Sequence, residues 1–194
     1  MQLLYAAIAT YLAEHERWPD VAAAFAAASP AVTSAGSPIT LALDSLVPAP
    51  ATAAVVGALH ATAYALRWQQ NPTYRDEAFL QRYAYCELLG PVGIARHPAL
   101  SAGLLYLAPG TDYPSHAHPA EEAYHLLAGR SAWQLGSTPP SWREPGARML
   151  HPGGVAHAMR SGESPLLALY LWRGEIAIPA RFVAAVPGDA SDAS

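Results

Sequence analysis

The chain has 194 residues, 52% of them apolar and 13% charged, a balance that supplies a sizeable core and excludes a disordered polymer. A net charge of −4 leaves no basic face for nucleic acid. No stretch of about 18 residues is free of charges, breakers and polar side chains, so no membrane span is expected.

The opening segment, residues 1–16, is apolar but lacks a basic start and soon meets Glu14 and Glu16. It reads as an amphipathic helix rather than a signal peptide. Together with a lone cysteine, Cys86, which cannot form an internal disulfide, this points to a cytoplasmic protein. Residues 1–90 are read as a helical region. Ala and Leu at helical spacing predict helices over about 3–28, broken near Trp18-Pro19, then over 51–70 and 73–88. Thr52 is the expected cap of the second, and Asn71-Pro72 its expected end. The breaker-rich stretch 30–50 predicts a loop with a short strand.

From residue 91 the pattern changes to short apolar runs separated by Gly and Pro. Runs at 104–108, 123–128, 131–135, 148–150, 156–160 and 166–171 predict the strands of a small antiparallel barrel or sandwich. The expected organisation is therefore mainly β: a barrel over 91–185, the helical region packed against it, and a frayed tail over 186–194.

Chemistry concentrates in the strand-rich half. Five of the eight histidines lie between residues 116 and 157. His116 and His118 alternate along an extended segment and so share a face. Pro119-Ala120-Glu121 can turn the chain so that Glu122 enters the next strand beside them. A Pro152-Gly-Gly154 turn then delivers His157. Three imidazoles and a carboxylate inside a barrel suit one divalent transition metal, whether Zn, Fe, Mn, Co or Ni. Alternation turns His125 away from this site, and His151 reads as structural.

These two segments resemble the cupin superfamily. Gly110-x5-His116-x-His118-x3-Glu122-x6-Gly129 and Gly146-x5-Pro152-x-Gly154-x2-His157 match both of its motifs, with Ser161 where the second motif usually ends in Asn. Within cupins the chain resembles the small bacterial dimethylsulfoniopropionate (DMSP) lyases of the DddQ, DddL and DddW kind. The resembling features are Tyr113-Pro114, Glu122-Ala-Tyr124, Trp172-Arg-Gly-Glu, and the segment from Trp68 through Tyr83-x-Tyr85-x-Glu87 to Gly90-Pro91. The resemblance implies a cupin double-stranded β-helix and metal ligands at His116, His118, Glu122 and His157. It also implies Tyr124 as catalytic base, with Tyr113 orienting substrate or sharing that role.

A phenol is a weak base at neutrality, but a nearby divalent cation favours its phenolate. A sulfonium substrate needs aromatic faces rather than a tightly paired anion, each good contact contributing ~0.5–2 kcal/mol. Trp172, Tyr113 and Tyr83 are the substrate-binding candidates. Arg148 and Arg160 are candidates for a substrate carboxylate. The implied reaction is elimination of dimethyl sulfide from DMSP, leaving acrylate. The alternatives are a cupin dioxygenase or isomerase acting on a small carboxylate, thiol or sugar acid, and a non-catalytic small-molecule sensor. The expected partner is a small sulfonium carboxylate, with no nucleic acid and no membrane. Homodimerisation through barrel edges or the N-terminal helix stays open.

Overall fold

The computed structural model describes residues 1–31 and 35–184; the tail expected over 186–194 lies outside the described residues. The N-terminal region contains α1 (Gln2–His15), α2 (Pro19–Ala27) and α3 (Ala53–Thr62), which runs on into a 3₁₀ turn over Ala63–Ala65. Pro19 opens α2, where a missing N–H is tolerated, so the break expected at Trp18-Pro19 is present. Thr52 does precede α3, but its hydroxyl caps nothing in the helix. It donates instead to the carbonyl of Leu127 at 2.7 Å, tying the helix to the sheet beneath.

The helix expected over 73–88 is not there. Only α4 (Glu77–Leu80) is helical, and Tyr83–Gly90 forms strand β1. The reason is the two-residue period of Tyr83, Tyr85 and Glu87 against Ala84, Cys86 and Leu88. Such alternation suits a sheet with two different faces better than a helix. The helix expected over 51–70 likewise ends early, because the chain beyond Ala65 bridges to Gly36 and to Tyr85.

The remaining strands are β2 (Ala95–Arg96), β3 (Leu100–Leu107), β4 (Asp112–Ala117), β5 (Glu121–Ala128), β6 (Ser131–Leu135), β7 (Ser141–Arg143), β8 (Arg148–His151), β9 (His157–Ser161), β10 (Leu166–Arg173) and β11 (Arg181–Phe182). They form a six-stranded sheet of order β2-β1-β3-β10-β5-β8 and a five-stranded sheet of order β11-β4-β9-β6-β7. All pairings are antiparallel except β1 with β2.

The large sheet has two unlike faces. Its outer face, with Leu104, Leu127, Leu167, Leu169 and Leu171, packs under Leu4, Ile8, Leu12, Phe25 and Leu59 of the helices. Burying each such aliphatic side chain contributes about 1.5–3 kcal/mol, which is why the helical region adheres. The inner face meets the small sheet through aromatic side chains, among them Tyr113, Tyr124, Trp133 and Tyr170. Gly129 makes the β5–β6 turn possible. Its φ of +79° favours glycine, and a Cβ there would collide with the Pro165 carbonyl.

Candidate metal centre and active site

Strand register assembles the site. In the small sheet His116 of β4 stands opposite His157 of β9. In the large sheet Glu122 of β5 stands opposite both Trp172 of β10 and His151 of β8. His118 sits in the connection from β4 to β5. Its carbonyl accepts a 2.8 Å bond from the Gly154 amide, so the Pro-Gly-Gly turn is fastened to the first histidine segment. Ser161, in the position where Asn is usual, receives the Thr111 amide at 2.8 Å and donates to the Ala108 carbonyl at 2.6 Å, closing the base of β4.

One ligand atom each from His118, Glu122 and His157 lies within 4.8 Å of the others, and all three residues are buried. His118 Nε2 is 2.9 Å from Glu122 Oε2. His157 Nε2 is 3.2 Å from the same oxygen but is not aligned for a hydrogen bond and has no other partner among the described residues. The opposite ring nitrogens settle the proton positions. Nδ1 of His116, His118 and His157 lies 2.9, 3.0 and 3.0 Å from the carbonyls of Pro114, Ala120 and Val155 respectively. A carbonyl only accepts, so Nδ1 of each ring carries a proton and Nε2 is the nitrogen left to face the cluster. The Nε2 atoms of His118 and His157 both face one carboxylate oxygen, a donor set that a divalent cation would fit. Outward Nδ1–H bonds of this kind are how metal-binding histidines are commonly held.

His116 is buried beside this trio rather than inside it. Its ring lies 4.1 Å from that of His157 and 6.4 Å from that of His118. Trp172 touches two of the trio: Nε1 donates to Glu122 Oε1 at 2.6 Å, and the indole stacks on His118 at 4.0 Å. Glu122 is thus engaged through both oxygens. Burial alone would raise its pKa, but His118 and His157 outweigh burial and hold it well below the usual carboxylate range.

Tyr124, two residues beyond Glu122, faces the same interior. Burial, followed by the Glu122 charge, pushes its phenol well above the ordinary value. Tyr113 is pushed up as well, first by burial; its hydroxyl pairs with Tyr74 at 2.6 Å and its ring stacks on His116 at 4.1 Å. Tyr113, Tyr124, Tyr83 and Trp172 all line one cavity of about 300 Å³. The three substrate-binding candidates therefore share a space with the candidate base. Arg148 and Arg160 do not reach it: Arg148 pairs with Glu16 at 2.7 Å and Arg160 with Asp112 at 3.6 Å.

His125 turns to the opposite face of β5, where it meets Glu16 at 2.6 Å. Two inward residues escaped the sequence reading. His151, read as structural, lies with Nδ1 3.9 Å from Glu122 Oε2 and its ring 4.2 Å from that of His157. Burial, then the neighbouring His157, lowers its pKa to about 3, so it is neutral at physiological pH. The signal was the alternation of Met149 and His151 against Arg148 and Leu150. Glu87 was hidden by the helical reading of its segment; it lines the cavity.

A family model for dimethylsulfoniopropionate lyase matches residues 14–168. This chain belongs to the DMSP lyase family. The dimethylsulfoniopropionate lyase DddQ of Ruegeria pomeroyi is 41% identical over 99 residues, covering 50% of this chain and 49% of that protein. The crystal structure of the DMSP lyase DddQ from Ruegeria pomeroyi aligns with a TM-score of 0.73 and 29% identity, over 93% of this chain and 96% of that one. A structure from a study of the DMSP lyases RdDddP and RnDddQII aligns equally well, at TM-score 0.73 and 29% identity. By sequence, the chain spans about half the length of the curated relatives it matches. The two sheets give the mainly β architecture expected from the motifs, with the helical region on the outer face of the larger sheet. None of the helices among the described residues is long and apolar enough to cross a membrane.

Proposed function

We propose that this DMSP lyase family member is a metal-dependent carbon–sulfur lyase that cleaves DMSP to dimethyl sulfide and acrylate. The observation that carries the reading is the convergence of the His118 and His157 Nε2 atoms and the Glu122 carboxylate beside Tyr124, at an aromatic cavity. His118, Glu122 and His157 would hold the ion, with His116 buried next to them against His157. When bound, a divalent ion supplies the positive charge that offsets the substrate carboxylate and favours phenolate at Tyr124.

The chain's own groups do the rest. Trp172 orients Glu122 through its indole N–H and offers a ring face to the sulfonium. Tyr124 Oη takes the α-proton; the C–H electrons form the new double bond, and the C–S electrons leave on sulfur. Tyr113, held by Tyr74, shapes the wall against which the substrate lies. The aromatic lining limits water around the developing charge. The buried free thiol of Cys86 supports a reducing compartment such as the cytoplasm.

The test is headspace dimethyl sulfide from purified protein given DMSP, before and after chelation and with divalent ion restored. Release that disappears on chelation and returns with the ion, without dioxygen consumption, supports the proposal. No release under any metal condition overturns it.

A further inference from the structure

The inner face of the large sheet carries a second acid that the reaction above does not use. Glu87 alternates with Tyr83 and Tyr85 on β1, so all three face inward. Across the sheet Glu87 stands opposite Gly103, Gly103 opposite Tyr170, and Tyr170 opposite Tyr124. Because Gly103 has no side chain, nothing in this row rises between the acid and Tyr170. Glu87 is only 8% exposed, yet its Oε1 has no hydrogen-bond partner among the described residues. It lines the same cavity as Tyr124 and Trp172. Burial pushes its carboxyl up, opposed by the Val92 backbone, the charges of Arg67 and Arg96, and the Ser101 hydroxyl.

Among the described residues no Arg, Lys or His lines this cavity, so none of them places a cation in it beside the acid. Its neighbours on the wall, Tyr85, Tyr170 and Trp172, offer π faces, whose quadrupole is also negative toward a ligand. A buried carboxylate on a wall shared with aromatic side chains fits a compact cation without hydrogen-bond donors.

We propose that Glu87 recognises the positive charge of the substrate, seating an onium group between its carboxylate and the rings of Tyr170 and Trp172 while the substrate carboxylate points toward the histidine cluster. The inference rests on the reading of the substrate as an onium carboxylate. It carries a kinetic consequence. Sulfur is cationic in the bound substrate and becomes neutral as the C–S bond breaks. Glu87 therefore stabilises the ground state more than the transition state, and its attraction is lost when neutral dimethyl sulfide forms.

The experiment compares two ligands of one shape on the zinc-loaded chain: 3-(trimethylammonio)propanoate and 4,4-dimethylpentanoate, which keeps the carboxylate but has carbon in place of the cationic nitrogen. Binding of each is measured by calorimetry, so no turnover is needed. The natural sequence should prefer the onium by at least about tenfold, and Glu87→Gln should erase most of that preference. With DMSP, Glu87→Gln should raise KM by a similar factor and leave kcat unchanged or higher.

Gly90→Ala gives an independent probe. A Cβ at Gly90 would overlap Glu87 Oε1, forcing the carboxylate aside while keeping its charge, and the backbone there has no positive φ to resist alanine. It should shrink the preference less than Glu87→Gln does. A preference that survives both substitutions, or is absent from the natural sequence, overturns the inference. If the preference behaves as stated but DMSP yields no dimethyl sulfide, Glu87 keeps its role and only the lyase reading fails.

Discussion

Strand β5 carries two histidine–glutamate clusters on opposite faces, and they are built differently. On the outer face, Glu16 of the chain just after α1 meets His125 at 2.6 Å and Arg148 at 2.7 and 2.9 Å, and Tyr11 reaches the other His125 nitrogen at 3.3 Å. On the inner face, His157 Nε2 and His151 Nδ1 have no hydrogen-bond partner among the described residues, and two imidazole Nε2 atoms face one oxygen of Glu122. Both pair histidine with glutamate, but only the outer one contains an arginine. The outer cluster carries its own cation, whereas the inner one has a donor set that a metal ion would fit. Buried polar groups are ordinarily satisfied, so the unsatisfied set marks the side of the sheet where something binds.

The comparison can be broken by substitutions that exchange the expected readouts. The largest effect should come from Tyr124→Phe. It removes only the oxygen proposed to accept the α-proton, so kcat with DMSP should fall about 10²–10⁴-fold while metal content and thermal midpoint hold. Retained turnover would shift the base role to Tyr113. On the outer face, Glu16→Ala leaves His125 and Arg148 facing a void. Breaking a buried pair in this way costs about 3–5 kcal/mol. The melting temperature should drop by roughly 2–4 °C for each kcal/mol lost, with metal stoichiometry unchanged. An unaltered melting temperature would show that the outer cluster does not clamp the helix.

Acid titration sharpens the same point. Burial tends to raise the Glu16 pKa, but the hydrogen bonds from His125 and Arg148 outweigh it and hold the carboxyl well below its usual range. A carboxyl depressed in the folded state contributes stability that is full above its unfolded pKa and is lost as pH falls through the folded one. The stability gap between the natural sequence and Glu16→Gln should thus be constant near pH 6–7 and narrow below about pH 4.5. A gap that widened on acidification would reverse the assignment. The smallest effect is expected from Trp172→Phe, which keeps a ring over His118 but loses the indole bond to Glu122. Loss of such an orienting bond should weaken metal affinity about 10–100-fold, read by competition with a chelating dye. Unchanged affinity would reduce Trp172 to a pocket wall.

Most of this candidate site could be read from the sequence, because its proposed ligands come from one turn and one strand alternation. His116, His118 and Glu122 lie within seven residues, and His157 follows a Pro-Gly-Gly turn, so local geometry nearly suffices. His151 and Glu87 were harder to find because they join the site only through pairing of strands distant in the chain: Glu122 with His151, and Glu87 with Gly103. For β1 the period-two pattern of Tyr83, Tyr85 and Glu87 competed with helix-favouring Ala and Leu around it, and burial on both faces of the sheet decided for the strand. Arg148 illustrates the reverse error. Its type suggested an anion site, and the acid it holds proved to be Glu16, 132 positions away. No local pattern could link those two residues.

The most direct test of the contrast between the faces is the metal stoichiometry of three proteins after equilibration with zinc and removal of free ion: the natural sequence, His118→Ala and His125→Ala. Elemental analysis should find near-stoichiometric metal in the natural sequence and in His125→Ala, and at least about tenfold less in His118→Ala, since a site missing one of its ligands cannot complete its coordination. Metal retained by His118→Ala and lost from His125→Ala would place the ion on the outer face and contradict the account.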